Sequence, residues 1–451
     1  MLKDFQGLEI STESLDTVKA IDTFIHESLS IGNNTKIIFE AVITEPSCAL
    51  ANIYAAVVHL FARSPDSISH ARYFLDIAIQ CRTNEREQRY LASVDAWVKG
   101  DIFQAIARSA VPKAIAHHEV IAEVFPQDLL SLHICQYHQR NSGDSEGMLR
   151  VAQKVFSFNQ NNSYMLGMLA YALEENLDLL AAEEMGRRAT EIQHNNRWAH
   201  HAVVHALENR GCFEDGIAWV NDVCDTWEES TPAFRNHLWW HACLFYLDAE
   251  NTAKVLELYD NQIWGHANKE NWHEQINSIS LLLRMELRGI DVRQRWQEIA
   301  TYLQGRVHER ILGYHDLHYV YALVRAHRYD WINQILANMR THAESCSVPY
   351  VGQVWTEVAI PGACAMIAHA QQDWGQAIAL FEQVRSRLQE IGGTNIQQDL
   401  FEQVYIDALI NVDRNQAAFE LLTKRAALRQ NIPAVERLLS AVGKKLASTI
   451  C

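Results

Sequence analysis

The chain has 451 residues, 48% hydrophobic and 21% charged, so it carries ample apolar surface to bury and is not expected to be disordered. Lys and Arg total 39 against 55 Asp and Glu, a formal net charge of -16. That balance argues against nucleic acid and against an anionic membrane as partners, because both demand clustered cations.

With 8 prolines, 19 glycines and no sustained apolar-polar alternation, helix is expected throughout. The first segment, MLKDFQGLEISTESLDTV, has no basic region followed by an apolar one and does not read as a secretory signal. The longest apolar run, Tyr54 to Ala62, is broken by His59 and too short to span a bilayer, so a cytoplasmic location is expected. Nine cysteines without a CxxC pair read as free thiols in a reducing compartment.

Internal repetition appears next. AWVKGDIFQAIARSAV, at 96–111, is a weak copy of a helical hairpin with small residues at the helix contact. AYALEENLDLLAAEEMGRRATEI begins at Ala170, and the related HALENRGCFEDGIAWVNDV follows so that Leu179 falls on Phe213 and Ala182 on Gly216. LDAENTAKVLELYDNQI and VRAHRYDWINQILANM are looser copies. AHAQQDWGQAIALFEQV is the cleanest, with Trp374, Ala377 and Phe381 at the aromatic, small and packing positions. Prolines 65, 112, 126, 232, 349, 361 and 433 fall between these patterns and read as hairpin junctions. The fold class expected is an all-α solenoid of degenerate tetratricopeptide-like hairpins in a curved or closed superhelix. It reads as one domain over 1–451, with irregular connections near 343–361 and 391–397.

Histidine, at 21 residues, is the compositional anomaly. In WAHHAVVHALE, His201, His205 and Glu208 lie on one helical face; in RNHLWWHACLF, His237 and His241 repeat the spacing. First helices of successive hairpins lie side by side, so the two pairs are expected to face each other. Paired imidazoles with a carboxylate suit a divalent metal such as Zn, Fe or Mn. The same residues could form an acid-base cluster, a recognition patch for a carboxylated or phenolic ligand, or a set of core groups that satisfy one another. On the catalytic reading His205 or His241 is the base or ligand, and Glu208 a ligand or imidazole orienter. Eight of the twelve tryptophans lie between Trp198 and Trp296, and Trp239 and Trp240 are expected to wall a small-molecule pocket. Asp316 and His318, in LGYHDLHYVYAL, are placed on the same groove from a later repeat. His117, His118, His133 and His138 read as peripheral. No GxGxxG, GxxxxGK[ST] or GxSxG occurs, so no NAD or nucleotide cofactor and no serine hydrolase is indicated.

Taken in order, GMLAYALEE, WAHHAVVHALENRG, NHLWWHACLFYLD, SLLLRMELRG, HDLH and IGGTNIQQDLFEQ resemble the tetratricopeptide repeat protein 38, or StaR-like, family, from Arg86 to the C-terminal repeat. The resemblance implies degenerate helical repeats, and some bacterial members sit in antibiotic biosynthesis clusters. The family's His-x3-His falls on His201 and His205, with Glu208 following. Its His-Asn-Trp-Trp-His falls on His237, Trp239, Trp240 and His241, with Leu238 in place of Asn. Its Asp-x-His falls on Asp316 and His318, and a Gln-Asp segment on Gln398 and Asp399. The expectation is a His/Glu/Trp site for a small molecule and a divalent metal, serving a metabolic or biosynthetic enzyme. The alternative is a non-catalytic adaptor that holds a peptide or protein partner.

Overall fold

A computed structural model describes residues 1–64, 66–99, 111–346, 348–429 and 432–450. The 96–111 repeat lies largely outside the described residues, as do Pro65 and Cys451. Of the described residues, 78% are helical, which makes the chain all-α. Contacts between Cα atoms divide it into two compact units: residues 1–206 with 223–231, and residues 207–222 with 232–451. The expectation of one domain stands beside these two, whose boundary falls inside the Arg197–Arg210 helix.

Each unit is a run of antiparallel helical hairpins, and one backbone device makes the turns. A residue in the left-handed region ends the first helix, and the next residue both closes that helix and starts the second. In the first unit these turns fall at Gly143 and Leu177. Asp144 N–H donates back to Gln139 O at 2.8 Å, and Asp178 N–H to Leu173 O at 3.0 Å. The Asp144 and Asp178 side chains then accept from Gly147 and Ala181 N–H as N-caps of the second helices. In the second unit the same turn recurs at Gly211, Glu250, Gly289, His327, Gln372 and Asp413. The six-to-one bond is present each time, for example Asn251 N–H to Tyr246 O at 2.9 Å and Asp373 N–H to Ala368 O at 2.9 Å. A non-glycine residue here costs about 1–2 kcal/mol. The closing bond offsets that cost at about 1 kcal/mol, and the Asp178, Asn251 and Asp373 caps add about as much again after Leu177, Glu250 and Gln372.

Small residues sit where the sequence places them. Ala182 and Ala377 are fully buried, and a Cβ on Gly216 would stand 2.4 Å from the Phe245 ring. In the first unit a buried ion group holds the N-terminus: Arg86 Nη1 lies 3.3 Å from Asp4 Oδ2 and 3.0 Å from Asp128 Oδ2. Asp4 Oδ1 also accepts from Leu8 N–H at 2.9 Å, which bends the chain into a two-residue antiparallel pair, Leu2–Lys3 with Glu9–Ile10. The sequence gives no alternation there, so this pair was not expected.

The second unit closes on itself. Arg429 Nη2 donates to Asp248 Oδ2 at 2.8 Å and its Nε to Glu208 O at 3.0 Å, so the C-terminal hairpin returns to the unit's first one.

One expectation is corrected. From Pro349 the segment 343–361 is not an irregular connection but helix: Pro349–Val354, a π-helical turn at Trp355–Ala359, then Ile360–Ala370. Pro361 has no N–H to give to an α-helical ladder, and the wider π turn before it accommodates the missing bond. Read as a breaker from sequence, this proline is inside a helix. The continuous Pro349–Ala370 segment is long and apolar enough to cross a membrane, and 61% of its apolar window is buried within the fold, as in a core helix. Near 391–397 the chain does leave helix, at Gly392 and Gly393, both at positive φ.

Candidate functional site

The Arg197–Arg210 helix is buried on almost every side. Ala199, Ala202, Val203, Val204, Ala206 and Leu207 are fully covered, and so are the polar His201, His205 and Glu208 of its remaining face. Asn196 fixes its start: Oδ1 accepts from Ala199 N–H at 3.1 Å while Nδ2 donates to Ser163 O at 2.9 Å. A buried polar face is costly unless its groups satisfy one another, so its wiring carries the information.

In the first unit, His201 and His205 pack with ring centroids 4.2 Å apart, against Tyr171 and Trp198. Nδ1 of His205 lies 3.2 Å from Glu174 Oε2, both groups being buried. In the second unit, the Pro232–Asp248 helix carries His237 and His241, with centroids 4.6 Å apart. Nδ1 of His241 lies 3.0 Å from Glu208 Oε2. Glu174 and Glu208 hold the same place in successive hairpins, three residues before the left-handed positions Leu177 and Gly211. Glu208 hydrogen-bonds a histidine of the following first helix, the carboxylate–imidazole arrangement that orients metal ligands, whereas Glu174 stands beside His205 without that bond geometry.

The protons on the second pair follow from a chain of amides. Asn236 Nδ2 donates to the carbonyl of Ile263 at 2.7 Å, and a carbonyl can only accept. Asn236 Oδ1 therefore accepts, here from Asn277 Nδ2 at 3.0 Å. Asn277 is left presenting Oδ1 to His237 Nδ1 at 3.3 Å, so that nitrogen carries the proton. His241 Nδ1 likewise gives its proton to the Glu208 carboxylate. In the neutral rings both Nε2 atoms are then lone pairs, and they face each other at 3.2 Å. Two lone pairs at that distance call for a proton or a cation between them. A tetrahedral metal with bonds of ~2.0–2.1 Å holds adjacent nitrogens about 3.3 Å apart.

Around this pair, Trp240 is buried and stacks on His237 at 5.4 Å and 9°, whereas Trp239 is only half-buried. His200, beside His201 in sequence, points elsewhere: Nε2 contacts His194 O at 2.7 Å. Burial holds its pKa down at about 3.

Asp316 and His318 are placed with other partners. Asp316 pairs with Arg310, and burial raises its carboxyl to about 7. Nδ1 of His318 donates to Tyr314 O at 2.8 Å, and burial lowers this imidazole to about 4. Two residues apart on one helix, they serve different surroundings and do not act as a pair. Gln398 bonds to the turn carbonyls of Leu388 and Gly392, and Asp399 to Arg425. His118 and His138 are buried core groups, with burial holding His138 at about 3.

Sequence reasoning missed Glu174, Asn236 and Asn277. Glu174 was within reach, since it precedes Glu208 by one repeat length.

No known family profile matches the chain. Among solved structures it is similar to the crystal structure of the P58(IPK) TPR domain, at 11% identity over 81% of this chain and 99% of that one, with a TM-score of 0.22. So loose a superposition carries no argument, and the helical-repeat fold rests on the hairpins and turns described above.

Proposed function

We propose that His237 and His241 of the second unit take one divalent transition metal between their Nε2 atoms, with Glu208 orienting the His241 imidazole. The observation that carries this reading is the wiring of the second pair, which turns the Nε2 lone pairs of His237 and His241 toward one point. Within each pair, ligand nitrogens lie within 4.8 Å of one another. All-imidazole donation favours Zn or Fe over Mn, which prefers oxygen. When bound, such a metal would polarise a carbonyl or lower the pKa of a coordinated water. The protein's own contribution is tautomer control at His237 and His241 and exclusion of bulk water by Trp240 and the surrounding core. Together with the StaR-like resemblance, this supports a small-molecule enzyme.

The test is metal loading of untagged, chelator-stripped chain with Zn²⁺, Fe²⁺ and Mn²⁺, followed by thermal unfolding. Saturating Zn²⁺ or Fe²⁺ at about 100 times Kd should add about 2.7 kcal/mol of stability. His237→Ala should abolish that gain. No gain with any of the three metals would remove the reading.

A second reading is favoured by the hairpin array itself: a non-catalytic adaptor that holds a peptide or protein partner. On that reading the histidines are core groups, and stripping metal changes neither stability nor partner binding.

A further inference from the structure

The segment IGGTNIQQDLFEQ takes no part in the histidine site, and it walls one side of a cleft of about 310 Å³ in the second unit. That volume is at the small end of the range of about 300–1,000 Å³ for small-molecule sites, which suits a ligand of amino-acid size and not a dinucleotide. The apolar part of the lining is Leu388, Phe401 and Tyr405.

The turn that carries this wall is held from within the fold. Gln398 Nε2 donates to Leu388 O at 3.0 Å and to Gly392 O, and Asp399 Oδ2 accepts from Arg425 Nη2 at 2.8 Å. Thr394 and Gln397 close a capping box at the start of the Asn395–Asn411 helix. The cleft is therefore preformed, and a ligand has little left to order.

Two opposite charges stand at the cleft and neither is spent. Arg385 and Glu402 both line it, 39% and 44% exposed, with Nη2 of Arg385 3.8 Å from Glu402 Oε1, too far for a hydrogen bond. So loose a pair contributes little to the fold. The Arg385 guanidinium carbon lies 4.7 Å from the Tyr405 ring centre, and the Tyr405 hydroxyl donates to Glu382 Oε1 at 3.3 Å. That ring steadies the guanidinium and leaves its N–H edge to receive a carboxylate. A ligand of a single sign meets repulsion here, an anion from Glu402 and a cation from Arg385. A zwitterion with an apolar side chain answers both charges and covers the apolar lining.

We infer that this cleft binds a free α-amino acid with an apolar side chain, its carboxylate on Arg385, its ammonium on Glu402 and its side chain against Leu388, Phe401 and Tyr405. The inference uses none of the residues of the histidine site and stands whether or not His237 and His241 take a metal.

The experiment is calorimetric titration of the full chain with L-phenylalanine, with L-alanine, N-acetyl-L-phenylalanine and L-phenylalaninamide as comparators. L-Phenylalanine should bind at millimolar concentration or below. Each comparator lacks one feature, the apolar side chain, the ammonium or the carboxylate, and should bind at least about 10-fold more weakly. Arg385→Gln and Glu402→Gln should each weaken L-phenylalanine by a similar factor while melting with the parent, since both side chains are exposed. Both variants should load metal as the parent does, so failure of metal loading in the parent counts against the histidine reading alone. The inference is overturned if L-phenylalanine fails to bind at millimolar concentration, if either capped form binds as tightly as the free amino acid, or if Arg385→Gln and Glu402→Gln bind it as well as the parent.

Discussion

Replacing Glu208 by Gln tests whether the second histidine pair is wired for a cation. Glu208 Oε2 lies 3.0 Å from His241 Nδ1, and both residues are buried. Gln preserves the shape and can still accept through its amide oxygen, so the imidazole keeps a partner but loses the charge behind it. A hydrogen bond to a charged group contributes about 1.5–3 kcal/mol and a neutral one about 0.5–1.5 kcal/mol, so the loss is about 1–1.5 kcal/mol. Much of that should appear as weaker metal binding, since the carboxylate raises the basicity of Nε2 and locks its tautomer. Affinity is expected to fall about 5- to 10-fold, or about 1–1.4 kcal/mol, the lower end of what losing such a partner costs a metal site. Competition with a chromophoric chelator at fixed pH reads this directly, and thermal unfolding of the metal-free chain reads the structural share. The reasoning is refuted if Glu208→Gln binds metal as the parent does while melting several degrees lower, because Glu208 would then be a fold contact and no orienter.

Acid should destabilise the chain steeply below about pH 6.5, because burial holds His133, His138 and His318 at about 4, 3 and 4 in the folded state. Their folded pKa values lie below the unfolded value, so the stability they contribute is complete above about 6.5 and is lost as pH falls toward 4. Each contributes a slope of up to about 1.4 kcal/mol per pH unit, and a flat thermal midpoint between pH 6.5 and 4.5 would contradict this. Asp316 has the opposite sign: its pKa is raised to about 7, so its contribution fades as pH rises from about 4 to 7, and Asp316→Asn should flatten that limb of the stability curve. Gly216→Ala would set a Cβ 2.4 Å from the Phe245 ring, and overpacking of about 1–3 kcal/mol should outweigh the gain of about 1 kcal/mol in helix propensity, giving a lower denaturant midpoint.

The hairpins were legible because their turn repeats as local chemistry. Gly143-Asp144, Leu177-Asp178, Glu250-Asn251 and Gln372-Asp373 each join a left-handed residue to an N-cap, and Ala182, Gly216 and Ala377 mark the close helix contacts. The one-face spacing of His201, His205 and Glu208, and of His237 and His241, was equally local. The roles within that cluster were not. Glu208 acts on His241 of the next helix, and the proton on His237 is decided by Asn277, Asn236 and the Ile263 carbonyl. No spacing rule connects those residues, because side-chain amides are oriented by tertiary partners. Pro361 misled for a related reason: proline usually ends a helix, but the π turn at Trp355–Ala359 lets this one continue.

X-ray absorption at the metal edge of untagged, Zn-loaded chain tests the central claim most directly. The account predicts about one metal per chain retained through gel filtration, with nitrogen ligands at about 2.0–2.1 Å and the multiple scattering of imidazole, lost in His237→Ala. A metal bound by sulfur, a shell of oxygens alone, or no retained metal would contradict it.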